Sequence, residues 1–363
     1  MTKAKWKVPF YDVRIGSEER TALADVVRSN WLTMGPKVKE FEAKFSGKTT
    51  RPAENAVAVS SATAALHLSL LCADIGPGDE VLCPSLTFVA TANVIKLVGA
   101  TPVFVDIESE DHWNLSVLDL EAKITSRTKA MMVVHYAGFP CRMKEINKLK
   151  KKHGLIVIED SAHACFTPYG KSVLGSIGDF GCFSFFSNKN MTTAEGGLLL
   201  TRRKKDAERA RRLRSHGISS STFSRYSKKS FGYEVTEPGC NYRMDEFRAA
   251  LGIVQLDKLD QMNKLRADKY DYYLNLFREK LPEFIIPFTS EKLSSCYHIF
   301  PILLPKSFPK RDRLIDFLSK EGIQTSVHYK PVHTFSAYSS KKAFLPVLEE
   351  ISNRILTIPF YPH

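Results

Sequence analysis

Between residue 56 and about residue 200, short apolar runs alternate with segments of helical periodicity. "AVAVS" (56–60) precedes "ATAALHLSLLCA"; "EVLCP" (80–84) precedes "TFVATANVIKLVGA"; "TPVFVD" (101–106) precedes "SVLDLEAKI"; "KAMMVVH" (129–135) precedes "CRMKEINKLKKKHG"; and "LIVIED" (155–160) follows. Apolar strands flanked by loop residues and separated by amphipathic helices predict β-α-β units: an α/β fold with a mainly parallel sheet covered on both faces. In such sheets ligands gather beyond the carboxyl ends of the strands.

After residue 201 the pattern changes. "MDEFRAALGIVQLDKLDQMNKLRADKYDYYLNLFREKL" (244–281) keeps helical apolar spacing without a proline and predicts one long helix crossing between lobes. Beyond it, "CYHIFPILL" predicts a strand, "KRDRLIDFLSKEG" a helix closed by Gly322, and "IQTSVHY" a further strand. The expected organisation is an N-terminal arm and large domain over 1–243, then a linking helix and a small α+β domain over 244–363. "GISSSTFSRYSKKSFGYE" (217–234) predicts a long loop and a candidate determinant of substrate choice, together with the region around His328.

Composition narrows the class. The chain of 363 residues is 44% hydrophobic and 25% charged, with a net charge of +13. Basic clusters at Lys150–Lys152, Arg202–Lys205 and Arg209–Arg214 lie on helix-like segments with interspersed acids, the pattern of a solvated helix face, and no zinc finger, RNA-recognition motif or basic zipper accompanies them. The expectation is no nucleic-acid partner and an acidic small-molecule substrate. The start, "MTKAKWKVPFYDV", carries no apolar run of signal-peptide length, and no stretch approaches the roughly 20 apolar residues that span a bilayer, so a soluble cytoplasmic protein without a membrane partner is expected. Seven cysteines, at 72, 83, 141, 165, 182, 240 and 296, form no CxxC pair, which predicts reduced thiols used mostly in packing and argues against a structural zinc.

The strand ends carry the chemistry. The first strand ends in Ser60-Ser61-Ala62-Thr63 at a helix start, the second in Pro84-Ser85-Leu86-Thr87-Phe88, a later one in Glu159-Asp160-Ser161-Ala162-His163, and "GCFSFF" delivers Ser184 and then Lys189. A lysine in a desolvated pocket has a lowered pKa and becomes an amine nucleophile able to form a Schiff base. Pyridoxal 5'-phosphate is the cofactor whose other needs match: an anion beside its ring nitrogen (Asp160), a phosphate cradle (Ala62 and Thr63 at a helix N-terminus, with Ser184), and an aromatic plate (Phe88). His328 and His333 in "HYKPVH" have a spacing open to metal ligands, but without carboxylates or thiols nearby they read as cleft or loop histidines.

The ordered set "WLTMGPKVKEFE", "SSATAALHLSL", "PSLTFVATANVIKLVGATPVFVD", "VVHYAGFPCRM", "IEDSAHA", "GDFGCFSFFSNKNMTTAEGG", "GCNYRMDEFRAALGIVQL" and "HYKPVH" resembles the DegT-type sugar aminotransferases, fold-type-I pyridoxal-phosphate enzymes acting mainly on nucleotide-linked keto sugars. The resemblance runs from about residue 8 to the end. It implies that Lys189 holds the cofactor as a Schiff base and then serves as general base and acid. It implies that Asp160 partners the pyridine nitrogen, that Thr63, Ser184 and the Ala62 backbone bind phosphate, that Phe88 stacks on the ring, and that His163 stands by the ring hydroxyl where many members have glutamine. Asn241 in "GCNYR" matches an asparagine that reaches the phosphate of a neighbouring subunit, which implies a homodimer with shared active sites. The implied reaction carries an amino group from L-glutamate to a keto sugar, nucleotide-linked, in the biosynthesis of a surface polysaccharide such as lipopolysaccharide or of a natural-product sugar. Two departures stand out: Ala194 occupies a position where many members have glycine, and family members usually continue for another helix after the equivalent of "IPFYPH". Rival readings are a pyridoxal-phosphate sugar dehydratase, in which histidine usually replaces the lysine, and a cofactor-free binding protein, which has no need of Lys189 and Asp160 together.

Overall fold

The computed structural model describes residues 6–219, 233–338 and 343–363. Most of the predicted loop over 217–234 therefore lies outside the described residues. After helices α1 (Ser17–Ser29) and α2 (Pro36–Gly47), the chain forms β1 (Ala56–Val59), α3 (Ala62–Cys72), β2 (Glu80–Pro84), α4 (Ala90–Leu97) and β3 (Thr101–Val105). A hairpin of β4 (Ile107–Ser109) and β5 (His112–Leu115) leads to α5 (Val117–Ala122), β6 (Thr128–Val134), α6 (Met143–His153) and β7 (Ile156–Asp160). A short hairpin, β8 (Pro168–Tyr169) and β9 (Ser172–Val173), precedes β10 (Phe180–Ser184), β11 (Gly197–Thr201) and α7 (Lys204–Leu213).

Seven of these strands form one sheet in the order β1-β11-β10-β7-β6-β2-β3. Pairing is parallel from β10 through β7, β6 and β2 to β3, and antiparallel where β11 pairs with β1 and β10. The strands are short, apolar and buried on both faces, so alternate residues feed opposite cores. On β10, Phe180 and Cys182 pack with α3, while Phe183 packs with Phe41 and Phe45 of α2. The predicted α/β class and mainly parallel sheet are what the chain adopts.

One long helix, α8 (Glu246–Lys280), follows, with the Asp245 carboxylate accepting from the Arg248 N–H at 2.9 Å as its N-cap. Its first residue ties it to the opening of the chain: the Glu246 carboxylate accepts from the backbone N–H groups of Gly35, Lys37 and Val38 at 2.9, 2.8 and 3.0 Å, three donors that the start of α2 leaves orphaned. The remainder contains β12 (Phe300–Leu303), α9 (Arg311–Lys320), α10 (Pro346–Ile351) and β13 (Ile355–Ile358), with β12 and β13 paired antiparallel. Gly322 takes φ +81° just past α9, the left-handed geometry that closes a helix.

Three details differ from the sequence reading. "IQTSVHY" is not a strand: its backbone makes only isolated bridges, Ile323 with Val8 and Ser326 with Thr357, because no continuous neighbour runs alongside it. The β4–β5 hairpin was not predicted from "IESEDHWNL", whose strands are only three and four residues long. "CYHIFPILL" is strand only over Phe300–Leu303. Six of the seven cysteines are buried and all are free thiols. No helix among the described residues is long and apolar enough to cross a membrane, and no metal-ligating cluster occurs among them.

Candidate active site

β1, β2, β7 and β10 end on the same edge of the sheet, and the turns that leave them enclose a cavity of 380 Å3. Seven of the eight residues singled out from the sequence line it: Ala62, Thr63, Phe88, Asp160, His163, Ser184 and Lys189. The eighth, Asn241, is exposed and lies outside the cavity of its own chain, on a segment bridged to Ser215.

Each side chain is placed by its element. Asp160 is the last residue of β7 and is buried, with its Oδ2 accepting from the Thr91 hydroxyl at 2.9 Å and its Oδ1 from the Ala162 N–H at 3.2 Å. Thr91, in α4, shares a 2.8 Å hydrogen bond with Thr87 in the turn before it, which backs up the hydroxyl that meets the carboxylate. Burial pushes the Asp160 carboxyl above its ordinary range, and those two donors and the charge of Lys189 pull it back.

Lys189 sits in the loop between β10 and β11. Burial lowers its ammonium to a pKa of about 8, against the opposing attraction of Asp160. The loop is held on both sides: the Phe185 N–H donates to Gly196 O and the Thr193 N–H to Phe185 O, each at 2.9 Å. The glycines in "TTAEGG" serve close approach, while the left-handed position falls on Ala194, at φ +64°. A Cβ on Gly197 would stand 2.4 Å from the Ser61 backbone, so only glycine lets β11 begin against the start of α3.

That helix start is an anion site in form. The Ser61 side chain accepts from the Ala64 N–H at 3.1 Å, while the Ala62 and Thr63 N–H groups find no partner among the described residues and open on the cavity together with the Ser184 residue. Phe88 is 59% exposed, which rules out a core role, and its ring stands 6.1 Å from that of Tyr329 on the cavity wall. His163 shares a 2.8 Å hydrogen bond between its Nε2 and the Tyr329 hydroxyl, but its Nδ1 is buried without a partner among the described residues. Burial and the neighbouring Lys189 and His328 hold its imidazole far below the usual histidine pKa, and His328, lowered to about 3 by burial and Lys189, is neutral beside it.

These observations fit pyridoxal phosphate. Free N–H groups at a helix start, a buried carboxylate with acceptor capacity left, an exposed aromatic face and an orphaned imidazole nitrogen are the partners that a phosphate, a pyridinium, a planar ring and a phenolic oxygen need.

Several residues that line the cavity or contact its working groups were not reached from the sequence. Thr91 and Tyr329 act through contacts that only folding creates, and no local motif marks them. His298 stands 3.4 Å from Lys189 Nζ through its Nε2, although the two are 109 positions apart. Its position inside the apolar run "CYHIFPILL" was the available signal, since a histidine there must find polar partners once buried.

Comparison with known proteins agrees with the geometry. Residues 13–363 match the model of the DegT/DnrJ/EryC1/StrS aminotransferase family. The chain is 41% identical to the spore coat polysaccharide biosynthesis protein SpsC of Bacillus subtilis over 98% of its length and 92% of that relative. Among solved structures, the putative sugar aminotransferase Spr1654 of Streptococcus pneumoniae in its PMP form superposes with a TM-score of 0.91 at 32% identity, covering 98% of this chain and 94% of that one. PseC of Helicobacter pylori, an aminotransferase involved in pseudoaminic acid biosynthesis, superposes with a TM-score of 0.90 at 31% identity, with the same coverage.

Proposed function

The chain belongs to the DegT/DnrJ/EryC1/StrS aminotransferase family, a pyridoxal-phosphate-dependent sugar aminotransferase by fold and kinship, and on that premise we propose that it moves an amino group from L-glutamate to a nucleotide-linked keto sugar, with Lys189 and Asp160 as its working pair. The observation that carries this reading is the desolvated lysine, lowered to about 8, in one cavity with a buried carboxylate and the open start of α3. The net charge of +13 suits a diphosphate-bearing substrate. SpsC's part in spore coat polysaccharide biosynthesis supports a place in surface-polysaccharide biosynthesis.

Pyridoxal phosphate, when bound, supplies an aldehyde that condenses with amines and a ring that accepts the electron pair released when a proton leaves the adjacent carbon. The protein's residues do the rest. Lys189, lowered to about 8, would supply the neutral amine that holds the cofactor and, once released, the base and acid that carries the proton. Asp160, whose ionised form the Thr91 hydroxyl and Ala162 N–H favour, would partner the pyridine nitrogen in a charge-assisted hydrogen bond worth ~1.5–3 kcal/mol. Thr63, Ser184 and the N–H groups of Ala62 and Thr63 would take the phosphate, Phe88 would cover the ring, and His163 Nδ1 would serve the ring hydroxyl. Asn241, exposed in its own chain, would reach the phosphate site of a second copy, so the working unit is a homodimer. Residues 1–243 form the cofactor-binding domain and 244–363 the small domain with its linking helix.

An absorbance spectrum tests the reading. Purified protein with pyridoxal phosphate should show a visible band that L-glutamate bleaches to a near-ultraviolet form, and Lys189→Ala should lack the glutamate response. A visible band indifferent to L-glutamate would overturn the donor assignment.

A further inference from the structure

Lys189 is bracketed by two asparagines, and the second leads to a chain of hydrogen bonds that ends back on the lysine. The Asn190 Nδ2 donates to Asn263 Oδ1 on α8 at 2.8 Å and to the Cys296 carbonyl at 2.7 Å. Two acceptors at one end of the amide identify that end as the NH2, so the Asn190 Oδ1 is committed as an acceptor. Its partner is His298 Nδ1 at 3.0 Å, and an acceptor meets a ring nitrogen at that distance only if the nitrogen carries hydrogen. The imidazole is 3% exposed, and Arg266 donates to the His298 carbonyl at 3.1 Å. Burial first, then the charges of Lys189 and Arg266, hold the ring far below the usual histidine range, so it is neutral. With Nδ1 protonated and the ring neutral, Nε2 bears a lone pair. It faces Lys189 Nζ at 3.4 Å and has no other partner among the described residues.

We propose that His298 is a positioning residue for Lys189: a tautomer-locked imidazole whose Nε2 accepts an N–H of the lysine whenever the amine is free, so that the amine waits at one place with its remaining valences turned to the cavity. A lysine otherwise samples many rotamers, and its usefulness as a proton carrier depends on where the nitrogen rests. The groups facing Nζ are Asp160 from β7, His163 from the turn after it, Cys296 and His298 from the segment before β12, and His328. Of these, among the described residues, His298 alone has a nitrogen within hydrogen-bonding reach of Nζ. The inference rests on the reading of Lys189 as the working amine.

The two amide variants separate the parts of the device. His298→Asn keeps an N–H near the Nδ1 position for Asn190 and removes the acceptor. His298→Gln returns an amide oxygen near the Nε2 position. The test uses the full chain freed of cofactor and measures the pH dependence of Lys189 acetylation by acetic anhydride, read by peptide mass spectrometry. The parent protein should show a midpoint near 8. An acceptor favours the ammonium, so His298→Asn should move the midpoint down by about 0.5–1 pH unit, and His298→Gln should restore it. In the loaded enzyme His298→Asn should lower kcat roughly tenfold with the donor KM unchanged. An unshifted midpoint in His298→Asn, or nitrogen-15 spectra of the parent protein showing hydrogen on Nε2, overturns the proposal; the spectra decide even if a variant fails to fold. Neither labelling nor spectra involve L-glutamate or a sugar, so failure here is distinct from failure of the aminotransferase reading.

Discussion

Glu159 and Asp160 are consecutive carboxylates on one strand, and they do opposite work. The strand's period of two sends them to opposite faces. Glu159, fully buried, accepts from four donors: His135 Nε2 at 3.0 Å and the backbone N–H groups of Gly175, Ile177 and Gly178 at 2.8, 2.8 and 2.5 Å. It pins the turn before β10 and has no acceptor capacity left. Asp160 accepts from two donors and faces the cavity with acceptor capacity to spare. A carboxylate saturated by its own chain is structural, while one left short of donors is held ready for a ligand.

The largest effect should come from removing the unsaturated partner. Asp160→Asn is expected to cost on the order of 10^3-fold in kcat, since a pre-aimed charge is lost. Its thermal midpoint should hold or rise. The Asp160 pKa is raised in the folded state, so its ionised form costs stability at pH values above the unfolded value, and the amide escapes that cost. A loss under tenfold in steady-state assays would erase the distinction. Glu159→Ala should show the reverse, about 3–5 kcal/mol less stable in denaturant because a buried imidazole and three N–H groups lose their acceptor, with specific activity per folded molecule retained.

Next comes the titration of the cavity face. Lys189 is protonated below about 8 and free above it, so the rate at which cofactor-free protein takes up pyridoxal phosphate should rise about tenfold from pH 7 to pH 9.5. Stopped-flow absorbance measures it, and a flat profile would show that burial does not tune the amine. Thr91→Val should cost up to roughly tenfold in kcat and move the acid limb of the pH profile upward, because the hydroxyl favours the ionised carboxylate. His163→Gln should be mildest, within about fivefold, since an amide can still donate where Nδ1 stands.

Legibility followed the range of the interactions. β1, β2, β3, β6 and β7 each lie within a residue or two of the runs that predicted them, because a strand buried on both faces must be apolar throughout, and α8 was evident over its whole length from its period. Asp160, Ser184 and Lys189 were legible because a parallel sheet collects the ends of its strands on one edge. Thr91 was not, for a threonine within an apolar helix becomes a carboxylate partner only when α4 packs beside the end of β7. "IQTSVHY" misled because β-branched residues favour extended backbone, but a strand needs a neighbour and this segment finds only single bridges.

The sequence by itself determined the class of fold, the edge at which chemistry would collect, and the lysine and carboxylate that meet there, since hydrophobic period and strand-end composition are local quantities. Tertiary structure decided which of two adjacent carboxylates is free to bind, that the left-handed turn falls on Ala194, and that a histidine 109 positions away stands at the lysine's amine. Those outcomes depend on which donors are already spent and which faces touch, and burial gives them their energy only once the chain has closed around them.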